Sequence, residues 1–326
     1  VPTLARTESP RGHEPVDPTA RVDVIVPTHD SGEVARECLR RLGADPRVGR
    51  ILVVDAASRP EHVVALRRWC RECGGVAELR PLRRNRGFAA SVNEGLLATT
   101  SPFVLILNPD CLVAPGAIGV LVDALEARAD CGLAGGLLLD EHGREQRGSR
   151  RDLPGRRQAI GRGVGLRGAG WDFDHLGRPM PEAPVRVPAI SGAFMLARRA
   201  SIERVGGLDE RFFLHFEDLE WCARFGDHGL GILFVPQATA LHEQGSSSRA
   251  RPHFVRFQKH RSMLLFDRLR WRSAWHRATR PLFVAAVWTA FVLSTAPRLL
   301  RRAARINSAT SPARTARRPS SVATAG

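Results

Sequence analysis

The chain has 326 residues, 43% hydrophobic and 25% charged, with six cysteines, which excludes a disordered polyelectrolyte and a disulfide scaffold alike. Its net charge of +16 sits in one place: residues 1–248 hold 32 Arg against 32 Asp and Glu, while residues 249–326 hold 16 Arg, Lys259 and a single acid, Asp267. A nucleic-acid-binding domain spreads basic charge over a face of its fold, so a neutral body with a basic appendage disfavours nucleic acid as the partner.

Residues 1–20 contain four prolines and no apolar run, and are expected to be a disordered lead-in rather than a secretory signal. From residue 21 a regular alternation begins. Val22–Val26 is an apolar, β-branched run predicted as a strand, followed by helical spacing over Gly32–Leu42. Ile51–Val54, Ala77–Leu82 and Phe103–Leu107 predict three further strands, and Val63–Cys70, Ala89–Ala98 and Ile118–Ala127 predict the helices between and after them. All-apolar strands alternating with helices mean a parallel sheet covered on both faces. Residues 140–187 lose the pattern to Gly, Arg and Pro and read as one long loop. Order returns with a strand over Ala189–Leu196, a short helix over Arg199–Val205, a carboxylate-rich helix over Phe212–Phe225 and a last strand over Leu230–Val235.

Ligands of such sheets bind beyond the carboxyl ends of the strands. Here those ends are Pro27–Asp30, Asp55–Ser58 and Asn108–Asp110, each with an acid or hydroxyl. Taken singly, each has a plain alternative. Asp55 reads as a helix cap, NPD as a turn, and Glu217 with Asp218 and Glu220 as a solvated acidic helix face. Phe212, Phe213, Phe216 and Trp221 around the acids point to partial burial instead. A lone Cys70-x-x-Cys73 pair has no partner set for zinc.

Arg84–Leu96 (RNRGFAASVNEGL), Leu107–Cys111 (LNPDC), Ile190–Met195 (ISGAFM) and Gly206–Cys222 (GGLDERFFLHFEDLEWC) occur in that order, between VPTHD near the start and LHEQGSS near residue 245. The ordered set resembles the inverting family 2 glycosyltransferases of GT-A fold, most of all the rhamnosyltransferase-like branch that decorates polyprenyl-linked cell-envelope glycans. The resemblance covers residues 22–248. It implies an α/β fold with a Rossmann-like nucleotide-binding half on a mostly parallel sheet and an acceptor-binding half. It also implies a role for each motif residue. Pro27, Thr28, Asp30, Asp55 and Ser58 would meet the base and ribose of a nucleotide-sugar donor. Asn85, Arg86 and Gly87 would lie along its diphosphate. Asn108 and Asp110 stand at the family's metal motif, with Asn108 where the family has its first Asp. Asp110 with His242 would hold Mg²⁺ or Mn²⁺. Asp218, with Glu217 beside it in the catalytic pair, would be the base that takes the acceptor proton; Ser191 and Gly192 would bind the acceptor, and Glu217 and Glu220 would be acceptor-binding or structural. The implied reaction moves rhamnose from dTDP-rhamnose to a polyprenyl-diphosphate-linked glycan. UDP-galactofuranose or a UDP-hexose is the alternative donor, and a non-catalytic basic protein that binds nucleic acid or membrane is the alternative of another class.

Residues 249–300 alternate aromatic and aliphatic side chains with Arg and Lys, which predicts basic amphipathic helices, and Leu282–Ala296 is apolar and bounded by Pro281 and Pro297. As a helix that segment spans about 22 Å, short of the ~30 Å hydrocarbon core, so a full membrane span is not expected. Basic flanks and tryptophans at its edges suit an anionic membrane surface, placing the chain at the cytoplasmic face as a peripheral or monotopic protein. Residues 301–326 read as a disordered basic tail.

Overall fold

The computed structural model describes residues 22–156, 158, 173–243 and 251–310. The expected lead-in, Gln244–Ser247 of the LHEQGSS motif, much of residues 157–172 and the end of the tail lie outside the described residues. In chain order the elements are β1 (Val22–Thr28), α1 (Ala35–Gly43), β2 (Val48–Asp55), α2 (Pro60–Glu72), β3 (Ala77–Pro81), α3 (Phe88–Ala98), β4 (Phe103–Leu107), β5 (Cys111–Val113), α4 (Ala117–Glu126), β6 (Cys131–Leu139), β7 (Val185–Arg186), β8 (Phe194–Arg198), α5 (Arg199–Val205), α6 (Glu217–Asp227), β9 (Gly231–His242), α7 (Pro252–Arg270) and α8 (Ala274–Thr310).

One sheet runs in the order β3-β2-β1-β4-β8-β6-β9-β5, with β7 on β9. Its first four strands are parallel, and the apolar cores of β1, β2 and β4 suit strands covered on both faces, while the edge strand β3 is only half-buried. α1, α2 and α4 pack on one face, and α3, α5 and α6 with Phe266 of α7 on the other. The second half departs from the parallel expectation. β8 is antiparallel to both β4 and β6, and β5 and β7 are antiparallel to β9. The antiparallel β4–β8 register pairs Leu107 with Phe194, which sets the residue after one strand against the residue before the other.

Three local expectations change. β8 begins at Phe194 rather than Ala189, because the backbone of residues 189–193 is engaged elsewhere: Ala189 bridges Arg151, and the Ala193 carbonyl accepts from the Asn108 N–H at 3.0 Å. α6 begins at Glu217 rather than Phe212, because His215 and Phe216 stand at φ +66° and +71°, outside the helical region. α8 passes through Pro281 and Pro297 to Thr310, ten residues past the expected start of the tail at 301. A proline removes one helical hydrogen bond and strains the turn before it, a local cost of ~3 kcal/mol that does not end a helix with strong formers on both sides. The window Ala274–Thr295 has 22 residues and is long and apolar enough to cross a membrane by length and composition. At 1.5 Å per residue it spans about 33 Å, so the shortness argument does not hold.

α7 and α8 form a helical hairpin. Phe257 meets Trp288 at 5.6 Å and Trp271 meets Phe283 at 6.3 Å between ring centroids. Asp267, the one acid of this region, is fully buried and receives Arg156 from the 140–187 segment on both oxygens, with Arg280 at 3.5 Å. Arg156 also donates to the Thr279 hydroxyl at 2.7 Å and lies over the Phe283 ring at 5.1 Å. The long loop is thereby tied to the basic hairpin. Phe254, Phe257, Trp275, Leu282, Val292 and Leu293 remain exposed on the hairpin surface.

Candidate active site

The strand ends named from the sequence come together. At the β1 and β2 ends, the Thr28 hydroxyl lies 3.3 Å from Asp55 Oδ1, the Ser58 hydroxyl donates to the same oxygen, and the Ser58 N–H donates to Oδ2 at 3.1 Å. Asp55 is fully buried, so it forms the floor of this end and braces the loop instead of presenting an open carboxylate. Asp30 accepts from the Arg59 N–H at 2.9 Å and donates its own N–H to Ser58 at 2.8 Å. Pro27 lies inside β1, whose register with β2 pairs Thr28 with Asp55.

Asn85 Oδ1 accepts from the Gly87 N–H at 2.9 Å and shapes the turn into α3. Gly87 stands at φ +95°, and a Cβ there would lie 2.3 Å from the Phe213 carbonyl oxygen, so only glycine fits. That contact joins the donor-side loop to the turn before α6. Arg86, expected along a diphosphate, is paired here with Glu210.

Asn108, Asp110 and His242 converge because β5 and β9 pair Cys111 with His242. His242 Nε2 is 3.3 Å from Asp110 Oδ1 and 3.5 Å from the Asn108 amide nitrogen. Gln146 donates its amide N–H groups to the carbonyls of Leu139 and His242, which turns its Oε1 to His242 Nδ1 at 2.9 Å. Nδ1–H donates to Gln146 Oε1, and Nε2 faces a carboxylate oxygen. An imidazole nitrogen and a carboxylate oxygen that close are bridged by a proton or by a metal cation. A carboxylate and an imidazole nitrogen, with the Asn108 amide oxygen once that side chain is turned over, form a donor set that fits Mg²⁺ or Mn²⁺. Among the described residues no cluster of three His, Cys, Asp or Glu side chains offers a metal site.

The acceptor end lies across the β4–β8 junction. Asp218 Oδ2 receives Arg151 and the Gly192 N–H at 3.2 Å, while Oδ1 receives only the Leu219 N–H at 2.8 Å and keeps a lone pair for another donor. A Cβ on Gly192 would lie 3.3 Å from that of Asp218, so the glycine is needed for the carboxylate to reach the backbone. Ser191 Oγ accepts from the Ala193 N–H at 3.2 Å and holds the same turn. Glu220 is turned away from the site. It sits ~200° around the helix from Asp218, is buried, and pairs with Arg224 through both oxygens at 2.9 Å, a structural role in place of acceptor binding. Among the described residues, the four non-glycine residues with positive φ, Asp30, Ala57, His215 and Phe216, all lie in these loops, the kind of backbone strain that sites retain.

Glu217 is 6% exposed, and its Oε2 has no hydrogen-bond partner. Burial first, and the Asp218 carboxylate next, push its pKa from the ordinary 4.5 up to about 8. Adjacent carboxylates with different environments divide acid and base roles. Glu217 keeps its proton at neutral pH. The consequence for stability has a definite sign. Between pH 4.5 and about 8 the folded chain keeps a proton that the unfolded chain has released, so this group's stabilisation is full below 4.5 and is lost as pH rises through 8. Each pH unit in that window costs up to about 1.4 kcal/mol. Glu217→Gln, which mimics the neutral form, is expected to melt near the wild-type temperature at pH 5 and above it at pH 8 to 9. Parallel melting curves across that range would exclude the buried proton.

Sequence reasoning missed Arg151 and Gln146. Both lie in the stretch without periodicity, and each acts on a residue 67 or 96 positions away.

The profile of glycosyltransferase like family 2 matches residues 18–264. The N-acetylglucosaminyl-diphospho-decaprenol L-rhamnosyltransferase of Mycobacterium tuberculosis is 29% identical over 217 residues, 61% of this chain and 69% of that protein. Rhamnosyltransferase WbbL of Escherichia coli K12 is 23% identical over 234 residues, 70% of this chain and 86% of that protein. Among solved structures, the mannosyltransferase PcManGT from Pyrobaculum calidifontis, in complex with GDP-Man and Mn²⁺, superposes with a TM-score of 0.55 at 19% identity, covering 92% of this chain and 84% of that one. GalNAc-T7 with UDP, GalNAc and Mn²⁺ gives 0.57 at 17% identity, covering 82% and 52%. These two likenesses establish a common GT-A fold.

Proposed function

We infer the reaction from the premise that the match over residues 18–264 secures: the chain belongs to glycosyltransferase like family 2 and is a glycosyltransferase. The proposed reaction moves rhamnose from dTDP-rhamnose, with inversion, to a hydroxyl of a glycan carried on a polyprenyl diphosphate. The observation that carries it is the junction at Asn108 and Ala193. There the β4–β8 register sets the nucleotide loops against Gly192 and Asp218. A donor bound over Thr28, Asp55 and Ser58, with its diphosphate toward Asn108 and Asp110, presents its anomeric carbon at that junction. Asp218 Oδ1 accepts the proton of the acceptor hydroxyl. The oxygen forms the new bond to the anomeric carbon as the bond to the diphosphate breaks on the opposite side. Arg151 and the Gly192 N–H fix the carboxylate's orientation, and the protonated Glu217 beside it offers a hydrogen bond to the acceptor. A divalent cation held by Asp110 and His242, with Asn108 beside them, supplies positive charge for the leaving diphosphate.

Two relatives named as rhamnosyltransferases support the donor sugar, and one named for a diphospho-decaprenol substrate supports the carrier. The basic α7–α8 hairpin with its exposed apolar side chains supports association with an anionic cytoplasmic leaflet, where such a carrier resides. The test is transfer by the purified chain on mixed anionic vesicles holding a lipid-diphosphate glycan, with dTDP-rhamnose, UDP-galactofuranose and UDP-hexoses offered in turn. Rhamnosyl product from dTDP-rhamnose is expected. Product from a UDP-sugar alone would reassign the donor, and a chain that stays in the supernatant would remove the membrane role.

A further inference from the structure

α7 closes over the turn that delivers the acidic pair. Phe254 meets Phe213 at 5.5 Å between ring centroids, the Ser262 hydroxyl donates to the Leu214 carbonyl at 3.0 Å, and Phe266 meets Phe216 at 5.7 Å. These residues are spaced by four and eight, which defines one stripe of the helix. Gln258 occupies the remaining place in that stripe, between Phe254 and Ser262, and so faces the same turn. It is 7% exposed, and its Oε1 has no hydrogen-bond partner. A buried amide oxygen left without a donor is costly, as is the partnerless Oε2 of Glu217 at the start of α6. Both groups fit a ligand rich in hydroxyl or amide donors.

Lys259 stands one residue on, at the exposed edge of the stripe, and its charge acts on His215, three residues before Asp218. It is the only lysine among the 49 Lys and Arg residues of the chain. Three arginines near this end are each engaged with a carboxylate through one nitrogen: Arg151 with Asp218, Arg224 with Glu220 and Arg86 with Glu210. An ammonium is a compact point charge with rotatable donors, suited to a phosphate that shifts as product forms.

We propose that Gln258 and Lys259 of α7 complete the acceptor site, with Gln258 bonding the reacting sugar and Lys259 the diphosphate that joins this sugar to its lipid. This rests on the lipid-diphosphate acceptor proposed above. When the reacting sugar is the first one on the carrier, its diphosphate lies a single pyranose ring from the hydroxyl at Asp218. A basic group on the next element over the acidic pair is then in the right place.

The test compares two acceptors of the same glycan, one on a lipid diphosphate and one as a neutral alkyl glycoside. For Lys259→Gln, the preference in kcat/KM for the diphosphate acceptor falls about tenfold or more, through KM, and Lys259→Arg restores most of it. Gln258→Met raises KM for both acceptors. Because the chain has one lysine, an amine-reactive label reads occupancy without activity: the diphosphate acceptor slows modification of Lys259, and the alkyl glycoside does not. An unaltered preference in Lys259→Gln, with no protection from the label, overturns the inference while leaving the proposed reaction intact. A loss that tracks weaker vesicle binding assigns Lys259 to the membrane and also overturns it. If the wild-type chain transfers only to the neutral glycoside, the lipid-diphosphate reading itself fails, and this inference with it.

Discussion

Asp218→Asn lowers turnover by about 10²–10⁴-fold while affinity for the sugar nucleotide stays within a few-fold of wild type. The asymmetry follows from where the carboxylate sits. Its Oδ2 is held by Arg151 and the Gly192 N–H, on the acceptor side of the β4–β8 junction, and no donor-loop residue contacts it among the described residues. Its Oδ1 has the Leu219 N–H and one remaining lone pair, which is where a hydroxyl proton goes. An asparagine has the same size and cannot take that proton. It also meets only donors: whichever way the amide is turned, its NH₂ faces either Leu219 N–H or the Arg151 and Gly192 pair. A modest loss of stability therefore accompanies the loss of turnover, and rates are to be normalised to the folded fraction from a melting curve. Arg151→Lys separates orientation from chemistry, because a lysine keeps the charge and loses the planar guanidinium whose one nitrogen serves both Asp218 and the Ile190 carbonyl, so turnover falls while the protein still transfers. Near-normal turnover in Asp218→Asn together with an inactive Glu217→Gln would move the base to Glu217.

The parts legible in the sequence were those written locally. Four apolar strand runs, their polar carboxyl ends and the acidic pair before Trp221 are contiguous patterns, and the structure brings those ends to one edge. β6 was not legible. Cys131–Leu139 contains three glycines and falls in none of the predicted elements, yet each glycine gives room to a large neighbour. A Cβ on Gly132 would meet Phe225, one on Gly135 would meet Ile190, and one on Gly136 would meet Phe194, all inside 3 Å. Packing against distant aromatic and branched residues overrides propensity there. Arg151, Gln146 and Arg156 were hidden for a related reason. Their meaning comes from Asp218, His242 and Asp267, and pairing across 67 to 111 residues leaves no periodic trace. The lone acid of the basic appendage was the one available signal, since a single carboxylate among so many cations marks a designed partner rather than a solvated face. Glu220 carries no local mark that separates acceptor binding from a structural role. Its type and spacing matched an acceptor ligand, and only the helix angle reveals that it faces Arg224.

Chelation is expected to stop transfer and added Mn²⁺ or Mg²⁺ to restore it, with Asp110→Ala behaving as the chelated enzyme does at ordinary metal concentrations. The reason lies in the His242 orientation. Gln146 accepts from Nδ1–H, which turns Nε2 to the Asp110 carboxylate. Asp110 and His242 would hold a divalent cation there, and it would supply positive charge toward the diphosphate. Asn108 provides a neutral oxygen where a second carboxylate would bind more tightly, so the half-saturating metal concentration should be high and Asn108→Asp should lower it. Gln146 gives an independent handle. Gln146→Leu leaves every proposed ligand in place and removes only the group that orients His242. It should raise the metal concentration for half-maximal activity by about 10–100-fold, with turnover at saturating metal close to wild type. A merely structural Gln146 would instead lower the melting temperature and leave the metal dependence alone. Full activity under chelation, with Asp110→Ala unaffected, would show that side chains alone balance the leaving diphosphate. Arg86 would then have to leave Glu210 to do so, and Glu210→Gln, which frees that guanidinium, should raise turnover only in that case.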